Sequence, residues 1–368
     1  MTVADIEQVM EQWAPTWAAW DRDNVGLQLG DRTRRVSKIL VALELTDGVV
    51  QEAVRKKIDL ILTHHPPFFH PLSSLTSSTP TGRNLLTLAQ RKIAVYSAHT
   101  NLDFTKGGVS IVLARTLGLR NVNFLAPLTD KLAKIVVFVP TDHVDRVADA
   151  MSTAGAGTIG NYDSCSFRVK GMVTFRGNQE TRPSVGKRGS FERIEETRLE
   201  MITPKFLVER VVRSMRSMHP YEEIAYDVFP VNTPSANFGM GAVGTLEHEV
   251  SLKSFLQNAK MALHAGQFRY SGNTNKKIKS VAVCAGSGSE LLEDALRAKA
   301  DVFITADIRY HTFHAAEGRI ALVDAGHWET EVGILEPMRQ RVTGAARQLG
   351  QTVSVYLTQN STNPVRYI

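Results

Sequence analysis

The chain has 368 residues, more than one hydrophobic core usually serves, and its 43% hydrophobic and 22% charged residues suit a folded protein. No apolar run reaches the length of a membrane span, and the acidic stretch at 1–17 lacks the basic and apolar regions of a secretion signal, so a cytoplasmic protein away from the membrane is expected. The net charge of +6 is spread over scattered lysines and arginines without a nucleic-acid-binding motif, which disfavours DNA or RNA and leaves room for an anionic small molecule such as a nucleotide.

Val3, Ile6, Val9, Met10 and Trp13 mark an amphipathic helix over 3–13. A strand is expected at 36–43, a helix at about 46–57, and a strand at 60–62 that runs into Thr63-His64-His65-Pro66-Pro67. A helix over 82–92, a strand at 93–97 leading to His99 and Asp103, and a helix over 107–117 closed by Gly118 complete the first third. Short apolar strands separated by helices argue for βαβ units around a mostly parallel sheet.

The middle of the chain has a different grammar. A strand at 134–139, a helix at 143–154, antiparallel strands within 165–176 and 198–201, a helix at 204–218 and a strand at 226–231 give a β-α-β-β-α-β order. That order suggests a ferredoxin-like insertion, with a polar connection between its middle strands and a return linker at 232–238. The last third repeats the first: strand 281–285, a Gly-Ser turn, helix 290–299, strand 301–305 ending in Ala306-Asp307, and a helix near 311–318. Strand 320–324 then ends in Ala325-Gly326-His327, before a long helix at 330–349 and a final strand at 353–357. The expected α/β architecture is thus two related halves, 1–127 and 235–368, with a domain inserted at 128–234.

His64 and His65, Asp103, and His327 all fall at the carboxyl ends of expected strands. The crevice beyond those ends is where parallel α/β sheets bind ligands, so residues far apart in sequence should meet there. Each has a plainer reading alone. The His64-His65 pair could be a surface loop, although Pro66-Pro67 stiffens it. His327 and Glu331, four apart at a helix start, share a face as metal-binding helices require, yet helix starts favour acids anyway. Asp103 could bind a cation or cap the next helix, and His99 could orient a ligand or pack against the sheet end. Gly286-Ser287-Gly288-Ser289 could cradle a phosphate or form a tight turn. Asp307, Tyr310 and His311 follow strand 301–305 at the same sheet end. His311 could be a general acid or substrate contact oriented by Asp307, or a structural residue at a helix start. Cys165 and Cys284 lie far apart, outside any C-x-x-C spacing, and read as free thiols.

Asp23-Asn24-Val25-Gly26-Leu27-Gln28-Leu29-Gly30, Thr63-His64-His65-Pro66-Pro67-Phe68, Ala98-His99-Thr100-Asn101-Leu102-Asp103, and Asp324-Ala325-Gly326-His327 with Glu331 resemble, in order and spacing, the Nif-three-like family. Its members are labelled GTP cyclohydrolase 1 type 2 homologues, and the resemblance covers nearly the whole chain. It implies a dinuclear metal cleft between the α/β halves, with His64, His65, Asp103, His327 and Glu331 as ligands. It also implies that the insertion is similar to PII and CutA-like domains, a match carried by His219-Pro220-Tyr221-Glu222-Glu223-Ile224-Ala225-Tyr226-Asp227, and that the chain forms homohexamers built as trimers of dimers. Ala285 and Ala306 depart from the family pattern, which usually has glycine at these positions. Three imidazoles and two carboxylates suit zinc, with iron, manganese, cobalt or nickel as alternatives, and Glu331 is the expected bridge. Such a site implies a metal-dependent hydrolase, with a nucleotide among its candidate substrates. Metal storage or delivery and a regulatory scaffold are the rival readings.

Overall fold

The strands that lead to the candidate residues are short and closed to water: Leu60–Thr63 and Ala94–Ser97 are buried at every position, as strands covered on both faces require. A computed structural model describes residues 1–129, 131–160, 162–181 and 184–368. The fold is mixed α/β, and the chain divides into two units, Met1–Pro127 with Phe238–Ile368, and Leu128–Asn237.

The larger unit holds two main sheets. The first runs Gly26–Leu29, Ala94–Ser97, Leu60–Thr63, Lys38–Ala42, Ser354–Leu357. Its last four strands are parallel, and Gly26–Leu29 is an antiparallel edge. The second runs Arg269–Tyr270, Ala321–Asp324, Val302–Ala306, Lys277–Ser287, Ala242–Ser251, Arg120–Asn123. Here Ala321–Asp324, Val302–Ala306 and Lys277–Ser287 are parallel and the flanking pairs antiparallel. The first sheet therefore takes its last strand from the end of the chain, and the second takes Arg120–Asn123 from the first third. Residues of both segments share one core in which Ile39, Leu62 and Tyr96 join Val281, Ile304 and Val323.

Two expectations change. The helix foreseen at 330–349 is broken into His327–Glu331, a 3-10 turn at Val332–Ile334, and Leu335–Gln348. Pro337 explains the restart, because proline lacks the N–H that would bond back one turn and suits the first turn of a new helix. Asp103 does not simply trail its strand; it closes a single helical turn, Thr100–Asp103.

The smaller unit forms an antiparallel sheet in the order Tyr226–Val231, Leu132–Pro140, Phe191–Pro204, Phe167–Arg176. With helices Val144–Thr153 and Val208–Met218, this is the ferredoxin-like order. Val137, Val139 and Leu199 on one sheet face pack against Val147, Met151 and Met215 of the helices. Phe191–Pro204 is much longer than the 198–201 segment its apolar residues suggest, since Glu192, Arg193 and Glu195 extend it with charge. Arg182 and Pro183, in the polar connection before it, lie outside the described residues. Among the described residues no helix is long and apolar enough to cross a membrane.

Candidate metal centre

Beyond strand Leu60–Thr63 the ladder continues for two residues. The His64 amide donates to Ala42 O at 3.3 Å and the His65 amide to Leu43 O at 2.9 Å. Both backbones are thus fixed before Pro66 ends the donor series. The two rings lie 4.7 Å apart, centre to centre. His99 enters from the end of strand Ala94–Ser97, its ring 5.4 Å from His64 and 5.2 Å from His65. His327 enters from the end of strand Ala321–Asp324, its ring 5.4 Å from His65.

Each of these four imidazoles is tied at Nδ1. His64 meets Ala98 O at 2.8 Å, His65 meets Glu44 at 3.3 Å, His99 meets Asp23 at 2.9 Å, and His327 meets Asp307 at 2.6 Å. A ring held at Nδ1 offers Nε2 as its ligand atom, and such outer partners also fix ring orientation. Three of these Nε2 atoms lie within 4 Å of the Glu331 carboxylate. Its Oε1 lies 3.1 Å from His327 and 3.9 Å from His64, and its Oε2 lies 3.3 Å from His65. Asp103 Oδ1 lies 3.6 Å from His64 Nε2. The structure therefore brings His64, His65, Asp103, His327 and Glu331 into one cleft. Two sets of donor atoms lie within 4.8 Å of one another: His64, His65 and His99, and His65, His327 and Glu331. Sequence reasoning weighed His99 only as a helper and did not foresee Glu44 or Asp23 as braces.

The cleft stores opposed charges. Burial first, then the other imidazoles, hold His64 well below its ordinary value, so it is a neutral donor. Burial first, then the Glu331 carboxylate, push Asp103 well above the usual carboxylate range. For His327 burial disfavours the cation, but Glu331 and Asp307 outweigh it and raise the ring to about 10. His64 Nε2, Asp103 Oδ1 and Glu331 Oε2 are buried with no hydrogen-bond partner among the described residues. Buried polar atoms left in this way call for an ion or a water. A neutral imidazole and two carboxyl groups whose unpartnered atoms face one cleft are chemically a fit for a divalent cation, whose binding would displace the proton from His327.

Gly286 makes the approach feasible. Its φ is +62°, and a Cβ there would stand 2.1 Å from Glu331 Oε1. Its amide donates to Thr330 Oγ1 at 3.0 Å, so the phosphate-cradle reading of this turn does not hold for that amide. The pairing of Asp307 with His311 also gives way. Asp307 leaves strand Val302–Ala306 with φ +55°, and its carboxylate is engaged with His327. His311 sits exposed on helix Tyr310–Ala316, its ring 5.4 Å from Tyr310. Trp20, Phe69, Phe104 and Leu291 give the cleft, of about 260 Å³, an apolar wall.

A family model for Duf34/NIF3 (NGG1p interacting factor 3) matches residues 1–364. The chain belongs to the Duf34/NIF3 family. It is 36% identical over 365 residues to the GTP cyclohydrolase 1 type 2 homolog of Bacillus subtilis, covering 99% of this chain and 98% of the relative. Identity to the homolog of the same name from Halalkalibacterium halodurans is 37% over 365 residues, with the same coverage. The crystal structure of a Bacillus cereus protein related to NIF3 aligns with a TM-score of 0.83 at 34% identity, covering 100% of this chain and 99% of that one. In this Duf34/NIF3 chain Ala285 and Ala306 are both buried, and Ala285 lines the cleft without contributing a donor side chain.

Proposed function

We propose that the cleft holds two divalent metal ions through His64, His65, Asp103, His327 and Glu331, and that the protein is a metal-dependent hydrolase of an anionic, nucleotide-like substrate. The observation that carries this reading is the set of three buried, partnerless atoms facing one cleft: His64 Nε2, Asp103 Oδ1 and Glu331 Oε2. Glu331 is the bridging candidate because its two oxygens face different imidazoles, His327 and His65. The donor set favours zinc, with iron, manganese, cobalt or nickel as alternatives.

Ions held there would supply Lewis acidity for hydrolysis of an anionic substrate. The chain's own part is positional. Glu44, Asp23, Asp307 and the Ala98 carbonyl keep each imidazole turned to present Nε2. Trp20 and Phe69 line the cleft and are half exposed, which supports stacking on a planar base. Relatives carry the name GTP cyclohydrolase 1 type 2 homolog, so GTP is the first substrate to assay. Self-association through the PII/CutA-like insertion into a homohexamer, a trimer of dimers, is part of the same reading. Phe167, Val169 and Phe229, exposed apolar side chains on that sheet, support it, and a single-chain mass in light scattering would refute it.

The test is an activity screen. Metal-stripped protein reloaded with each candidate ion should hydrolyse GTP, another nucleotide or a phosphoester, and Glu331→Ala should not. If the protein holds its ions yet turns over nothing under any of them, the hydrolase reading fails, and storage, delivery or a regulatory scaffold takes its place.

A further inference from the structure

The insertion buries a carboxylate that the metal centre does not use. Glu196, on strand Phe191–Pro204, is 3% exposed, and its Oε1 has no hydrogen-bond partner among the described residues. Side chains alternate across a sheet. Leu199 packs against the helices, so Glu196 points to the opposite face. Phe138, between the helix-packed Val137 and Val139, lies on that face too. Glu196 pairs across the ladder with Gly171, which sets Val173 and Phe175 on the same side. A Cβ on Gly171 would meet nothing within 4 Å, so the space opposite Glu196 is open.

Glu196, Phe138, Val173 and Phe175 wall a pocket of about 270 Å³, and Tyr221 closes part of it. The placement of Tyr221 is built in. Its amide donates to His219 Nδ1 at 3.2 Å, and His219 Nε2 donates to Phe138 O at 2.9 Å. Ser184 Oγ donates to Pro220 O at 3.0 Å. The His219-Pro220-Tyr221-Glu222-Glu223 motif thus forms a wall of this pocket. The Tyr221 hydroxyl is buried beside the Glu196 carboxylate. Burial first, then its side-chain hydrogen bond to Glu196, push its pKa well above the ordinary value, so it stays a donor aimed at one side of that carboxylate.

Charge selects the ligand. Glu196 lies inside, Glu223 lines the same pocket, and no lysine, arginine or histidine is among its described lining residues. A carboxylate buried against apolar walls is costly until a donor reaches it, and a charged donor gives the stronger bond. We infer that this pocket binds a small organic cation, its ammonium or guanidinium group meeting Glu196 and its apolar or aromatic body lying against Phe138, Val173 and Phe175.

Calorimetric titration of the full-length protein at neutral pH tests this, with phenethylamine as the probe and phenethyl alcohol and phenylacetate as its neutral and anionic counterparts. The amine should bind at least about tenfold tighter than the alcohol, and phenylacetate should not bind. Glu196→Gln should abolish the preference for the amine while keeping the parent's metal content and circular dichroism. Tyr221→Phe should keep the preference with weaker binding. Equal binding of amine and alcohol, no amine binding up to about 10 mM, or unchanged amine affinity in Glu196→Gln overturns the proposal. If the parent binds no amine and Glu196→Gln alters the oligomeric mass, the pocket is an interface between copies and the proposal falls.

Discussion

Glu52 and Glu331 are both almost wholly buried in the larger unit, at 1% and 4% exposure, yet their surroundings do opposite things. Glu52 is surrounded by donors: Lys56 Nζ at 2.6 Å, Thr358 Oγ1 at 2.7 Å, Asn360 Nδ2 at 2.8 Å and the Gln359 amide at 3.1 Å. It fastens helix Asp47–Lys56 to the residues that follow strand Ser354–Leu357. Burial alone would raise its pKa, but these bonds win and hold it at about 2. Glu331 instead faces three imidazoles, with Asp103 near one of them, and one of its oxygens has no hydrogen-bond partner among the described residues. Burial therefore does not distinguish a structural carboxylate from a functional one. The completeness of its hydrogen bonding does.

The contrast breaks most visibly at Glu331. Glu331→Ala should strip the two proposed ions from the cleft, read by elemental analysis, while leaving a folded chain whose thermal midpoint matches that of the chelator-treated parent. Retention of the parent's metal would place the bridge elsewhere.

Glu52→Ala should do the reverse, keeping the metal and costing about 2–3 kcal/mol in denaturant unfolding, as expected when bonds to a charged buried group are lost. The pH dependence has a definite sign. A carboxyl lowered on folding from 4.5 to about 2 stabilises fully above 4.5, and that stabilisation fades as pH falls through about 2. The gap between parent and variant should shrink over that window. A gap that stays constant to the acid end would mean that packing, not charge, is what Glu52 supplies.

A smaller effect is expected from the braces. Glu44→Gln and Asp307→Asn should each weaken metal binding by roughly ten- to hundredfold, with little change in stability without metal. Competition against a metallochromic chelator reads this directly. Unchanged affinity would show that packing alone orients His65 and His327.

Much of this candidate site is legible in the sequence, for a physical reason. Short apolar strands alternating with helices indicate which end of each strand faces the crevice, and His64, His65, Asp103 and His327 all fall there. The braces left no such trace. Asp23 and Glu44 are single acids 76 and 21 residues from His99 and His65, and one long-range pair has no period to detect. The edge strand Arg120–Asn123 is short, polar and mostly exposed, so no alternation announced that it crosses to the second sheet. Glu196 was hidden in another way. It stands next to exposed Glu195 in a run of charges, and only the turn carrying Tyr221 and the facing strands bury one of the two.

The most direct test of the account is the metal content of the parent chain, purified without chelator or metal-affinity steps and measured by mass spectrometry against protein concentration. The account predicts two equivalents of a divalent transition metal per chain, both removed by chelation and both restored on adding the metal back. A chain that folds natively, takes up no metal under any loading condition and leaves His64, His65 and His327 chemically unperturbed when metal is added would contradict it.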